Sequence, residues 1–150
     1  MDLRPELLPP PVDRQRLEAT CHEIDRIADL IARGGAADDA VAAFNTTTGH
    51  AYTPLDFAGY HGSRSVEDFA REAARPARPK VPGITRDELV EIVRRVLSCD
   101  PDSDYYLRLF DVNVPHPRAV GLIFHPPAEL RDASAESITD AALEYRAIAL

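Results

Sequence analysis

Between Asp13 and Gly34 the apolar residues return every three or four positions, at Leu17, Cys21, Ile24, Ile27 with Ala28, and Ile31. That period lays one apolar stripe along a helix, because residues three and four apart share a helical face. Asp13 is placed to cap its start, and Gly34-Gly35 to stop it. A second, alanine-rich helix is expected from about Ala37 to Thr46, with Val41 and Phe44 inward, Asp38 and Asp39 near its positive end, and Gly49 beyond its stop. Thr53-Pro54 reads as a cap followed by proline at the first helical position, opening a short helix that carries Leu55, Phe57 and Tyr60. Ser65 repeats the logic, since its hydroxyl can accept from the Asp68 amide, and Phe69 and Ala73 then face a core through about Arg75.

Proline interrupts this pattern twice. Four prolines between Pro5 and Pro11 forbid regular helix and predict an extended arm. Pro76, Pro79 and Pro82 predict an exposed linker over residues 76–83, so the expected organisation is a helical region 1–75, the linker, and a second helical domain 84–150. In that domain Thr85 caps a helix carrying Leu89, Ile92, Val93 and Val96 with Leu97. A second covers about Asp102 to Val112, a single turn falls near Ala119 to Phe124, and Ser134 opens a last helix through Ile138, Ala141 with Ala142, and Tyr145. No alternating strand pattern survives, because Val120 to Phe124 is short and shut between prolines. The fold class is all-α.

Composition narrows the functional classes. The chain has 150 residues, 45% of them hydrophobic, and a formal net charge of −8. An acidic chain without clustered Lys and Arg is a poor match for phosphate backbones and a better one for a basic protein partner. No apolar run reaches the ~20 residues that span a bilayer, and the start of the sequence lacks the charged-then-apolar plan of a signal peptide, so the cytosol is the expected location. Cys21 and Cys99 stand alone, without Cys-x-x-Cys spacing, and two buried free thiols are expected rather than a disulfide.

Candidate chemistry is sparse. His22, His50, His61, His116 and His125 show none of the paired spacing of a zinc site, and no cofactor is expected. His61 lies near Ser63 and Tyr60, but Ser63 is not in a Gly-x-Ser-x-Gly elbow, and a turn explains the run. Gly34-Gly35 lacks the lysine of a phosphate loop. The chain is therefore expected not to be an enzyme, with catalysis through His61 or His125 the remote alternative.

The most informative segment is His116-Pro117-Arg118-Ala119-Val120-Gly121-Leu122-Ile123-Phe124-His125-Pro126. Physically, Leu122, Ile123 and Phe124 form an apolar plug in a single helical turn, serving either as core filler or as an exposed binding knob. The segment resembles the colicin- and pyocin-type DNase immunity proteins, which carry His-Pro, three variable residues and Asp-Leu-Ile-Tyr-Tyr-Pro. The agreement is at His116, Pro117, Leu122, Ile123 and Pro126. Glu88-Leu89-Val90 with Val93 resembles that family's first helix, with Cys99 at its end. Ser134, Ile138 and Tyr145-Arg146-Ala147 resemble its fourth, so the likeness runs from Ile84 to Ala147.

The resemblance implies a four-helix unit with a short third helix that blocks a nuclease by binding beside its active site, the second helix setting the partner. In the family, the third helix supplies an Asp and two Tyr as anchors; here Gly121, Phe124 and His125 stand in those places. The expectation is an immunity-like inhibitor of a cognate toxin, a basic nuclease domain, with no direct contact to nucleic acid or membrane. Its contacts are expected at Asp102, Asp104, Tyr105, Tyr106, Asp111, Phe124 and His125. The acids would steer encounter and the aromatics hold the complex. The competing reading is a non-enzymatic helical interaction or scaffold module that kept the fold without binding a nuclease. The N-terminal half lies outside the resemblance and is expected to be a second domain, an oligomerisation element or a cover for the first helix of the C-terminal unit.

Overall fold

A computed structural model of the chain describes residues 1–62, 64–128, 130 and 133–145, with only the backbone of His61. Arg146 and Ala147 of the family-like ending, and Ser63, lie outside the described residues. Those described form eight α-helices and two short 3-10 turns, with no strand among them. They divide into two compact units, one of residues 10–77 and one that joins residues 1–9 to residues 78–150.

The unit of residues 10–77 contains α1 (Arg14–Ala32), α2 (Asp38–Thr48), α3 (Pro54–Gly59) and α4 (Val66–Ala74). Asp13 caps α1 by accepting from the Arg16 amide at 2.8 Å. The helix ends in a Schellman turn in which Gly34 N–H reaches Ile31 O and Gly35 N–H reaches Leu30 O, both at 2.9 Å. Gly34 sits at φ +76°, where a side chain would be strained. Helix α2 runs two residues past its expected end. There Thr46, Thr47 and Thr48 turn their hydroxyls onto carbonyls four residues back, and Gly49 at φ +79° then stops it. In α3 the Thr53 amide donates to Asp56 Oδ2 at 2.8 Å, and Ser65 Oγ caps α4 by accepting from Asp68 N at 3.2 Å. Ile24, Ile27, Val41, Phe44, Phe57, Tyr60 and Phe69 fill the core. Glu72 sits beside it, accepting from Tyr52 Oη at 2.8 Å and from Arg64 Nη1 at 2.7 Å, while the Arg64 guanidinium lies 4.3 Å from the centre of the Phe69 ring.

The other unit holds α5 (Arg86–Leu97), α6 (Ser103–Asn113), α7 (Ala119–Phe124) and α8 (Ala135–Glu144). Helix α5 packs on both α6 and α8, and the short α7 packs on α6 and α8. Leu89, Ile92, Val93, Leu109, Phe110, Ile138 and Ala142 form its centre. Thr85 and Glu88 make a reciprocal capping box on α5, and Ser134 Oγ accepts from Ser137 N at 3.1 Å to cap α8. On the surface Arg86 makes a two-pronged bond to Asp140, Nε to Oδ1 at 2.6 Å and Nη2 to Oδ2 at 3.0 Å, and Arg94 pairs with Glu136.

Two expectations are corrected. The opening arm, expected within a region 1–75, lies with the C-terminal helices and is pulled into a 3-10 turn at Pro5–Leu7. Its leucines alternate with prolines so that Leu3 and Leu7 reach the core, 7% and 0% exposed. Arg4 Nε lies 3.0 Å from Glu88 Oε2, and Met1 O accepts from Arg95 Nη2 at 3.4 Å, so the arm follows α5. The cysteines are not both buried, for Cys21 is half-buried and Cys99 exposed. Cys99 follows the Schellman end of α5 at φ +58°, where its side chain points away from the core.

Residues 79–81 are held rather than loose. Asn113 Nδ2 donates to Pro79 O and its Oδ1 accepts from Val81 N, both at 2.9 Å, so one amide side chain serves the segment as a short stretch of β-ladder would.

Candidate partner-binding face

Helix α6 has two faces of different character. Tyr105, Tyr106, Leu109 and Phe110 are buried, while Asp104, Arg108 and Asp111, at i, i+4 and i+7, share the opposite side. Tyr105 and Tyr106, expected among the contacts, are core residues at 6% and 3% exposure and present almost no area to a partner. The Tyr106 hydroxyl is also engaged, accepting from Arg95 Nη1 at 2.8 Å. Arg95 is in turn held by Glu91 at 3.0 Å. Glu91 and Tyr106 outweigh burial and push the Arg95 guanidinium above its usual range, so it stays charged. Of the acids, Asp104 is exposed, and Asp102 and Asp111 are half-buried.

The apolar plug divides. Leu122 and Ile123 turn inward at 7% exposure each, but Phe124, at the last position of α7, is 57% exposed. His125, Pro126 and Pro127 continue as exposed residues, with the His125 amide bonded to Gly121 O at 2.8 Å. At the other end of α7 the Arg118 amide donates to His116 Nδ1 at 2.9 Å, and the His116 ring packs on Tyr145 with centroids 4.8 Å apart. Two cations therefore accompany the acids: Arg108 on the polar side of α6 and exposed Arg118 before α7. The place of Arg108 follows from helical spacing, four residues after Asp104 on the same side, whereas Arg118 precedes α7 and no helical period marks it.

What brings this region into focus is a comparison with known proteins. Residues 81–148 match the colicin immunity protein / pyocin immunity protein family. The matching segment thus takes in all of α5 to α8 together with the exposed Phe124, and it leaves out the arm that completes the core. No curated protein and no solved structure matches the chain.

The N-terminal unit offers an open groove of about 380 Å³ between α1 and α2, lined by Arg16, Ala19, Thr20, Glu23, Phe44 and Thr47 among others. Its threonine hydroxyls are spent on backbone carbonyls, Thr20 on Arg16 and Thr47 on Ala43, so they do not converge on a substrate. In the same unit Cys21 has its thiol pushed up, first by burial and then by Glu67 and Asp25, the reverse of an activated nucleophile. Among the described residues no three His, Cys, Asp or Glu side chains are grouped to hold a metal ion. No helix among them is long and apolar enough to cross a membrane.

Proposed function

We propose that the C-terminal unit is an immunity module that captures a cognate bacteriocin toxin, a basic nuclease domain, and acts by binding rather than by catalysis. The observation that carries the reading is the exposed Phe124 ring at the end of α7, inside the segment that matches the immunity family. A phenyl group held out on a rigid turn, flanked by prolines, suits an anchor that enters a pocket on a partner. His125 offers imidazole donors and acceptors next to it. Asp104, with Asp102 and Asp111, supplies negative charge that steers a basic partner, moderated by Arg108 and Arg118.

The test is co-expression and binding with a toxin encoded beside this protein. Protection of the cell together with a stable complex is the expected result. Phe124→Ala should weaken that complex by about 2 kcal/mol or more. Asp104→Asn should slow association at low salt while leaving dissociation nearly unchanged. A chain that neither binds nor protects would leave the scaffold reading in its place.

A further inference from the structure

The His116 side chain sits in a position usually taken by an Asn or Asp. Its Nδ1 accepts the amide two residues on, Arg118 N–H, at 2.9 Å, which is the geometry of an Asx turn. Arg118 precedes the first residue of α7, and the only intrahelical ties of that six-residue helix are made in one and a half turns. The helix therefore depends on its flanks for its orientation, and the imidazole is one of them. An acceptor Nδ1 requires the neutral ring with its proton on Nε2. Protonation converts Nδ1 into a donor facing another donor, so the bond cannot survive it. Next to the ring stand Tyr145, whose own ring packs against it with centroids 4.8 Å apart, and the exposed Arg118.

The geometry points to His116 as a proton-operated latch on α7, closed when neutral and released on acidification, that controls how firmly Phe124 is presented. Its effect on a partner rests on the proposed role of Phe124, whereas the latch itself belongs to the free protein. Release frees the Arg118 amide and loosens the start of α7, while Leu122 and Ile123 keep the helix on the core. The consequence is a binding face that is ordered while the ring is neutral and less ordered once the ring carries a second proton.

The experiment is an amide-resolved NMR titration of the full chain from pH 7.5 to 5. The Arg118 amide should shift across that range, and after correction for intrinsic rates its exchange should quicken about fivefold or more, the loss of one hydrogen bond. His116→Asn keeps an acceptor at all these pH values and should abolish the response. His116→Ala should give the released behaviour throughout. An Arg118 amide indifferent to pH, or a His116→Asn protein with the wild-type response, would overturn the latch. Where a toxin complex forms, its dissociation should quicken at pH 5.5 in the wild type and not in His116→Asn. A titrating latch in a protein that binds no toxin would refute the immunity reading alone.

Discussion

Tyr106 carries the chemistry of an interface anchor, yet its place on α6 makes it a core residue with its hydroxyl committed to Arg95. Tyr106→Phe should therefore cost about 1 kcal/mol in chemical denaturation, the usual worth of such a bond, and leave partner binding unchanged. The helical pattern carried this information, because Tyr105 and Tyr106 with Leu109 and Phe110 repeat at i, i+1, i+4 and i+5 and so share the buried side. Residue type alone pointed outward; position pointed inward. Phe124 was ambiguous for the opposite reason: in a six-residue helix one apolar residue in three can face water without breaking any period. Two other residues sit in costly places. Thr139 is fully buried with no hydrogen-bond partner for its hydroxyl among the described residues, so Thr139→Val, nearly isosteric, should raise stability by about 1 kcal/mol in the same assay. Cys99 occupies the left-handed region at φ +58°, and Cys99→Gly should stabilise by about 0.5–1 kcal/mol, as relief of that strain exceeds the added chain entropy.

At the scale of elements, the caps were legible because they are local. Asp13, Ser65, Thr85 and Ser134 each announce a helix within three residues, and the structure starts a helix after each. The arm was not legible, because proline content tells what Pro5 to Pro11 cannot form but not where Leu3 and Leu7 go. Leu7→Ala should destabilise the C-terminal unit by about 3 kcal/mol, the range for emptying a closed core site, seen as faster hydrogen exchange in α5 with α1 to α4 unaffected. Between α5 and α8, Arg86 holds the Asp140 carboxyl below its usual range through its hydrogen bonds. Glu136 is lowered by its own backbone amide and then by Arg94. A carboxylate depressed in the folded state stabilises it fully above its unfolded value, and that contribution drains away as pH falls through and below about 4. Thermal melts at pH 7 and pH 3 should show Asp140→Asn less stable than wild type at pH 7 and the two nearly equal at pH 3. Because these pairs are exposed, molar salt should also narrow the gap at pH 7.

For the whole molecule, the all-α class followed from apolar periods of three and four, and the likeness of Ile84 to Ala147 to immunity proteins could be read from a few residues around His116. The membership of residues 1–9 in the far unit could not, because contacts between Met1 and Arg95 leave no trace in local pattern. We expect limited proteolysis to open the chain around Pro76 to Arg78 or Pro82 to Gly83, and to spare Pro79 to Val81, which Asn113 holds on both sides. Replacing Asn113 with Ala should make that middle stretch cleavable as well. The arm also has a bearing on how the protein is made. Arg4 must find Pro82 and Glu88, which leave the ribosome only after the whole of residues 10–77 has been synthesised, so the first nine residues wait undocked for several seconds at ordinary elongation speed. Through that interval Leu3 and Leu7 are available to whatever meets nascent chains at the exit tunnel, and three successive prolines, Pro9 to Pro11, hold the waiting segment extended instead of letting it collapse onto the helices that emerge next.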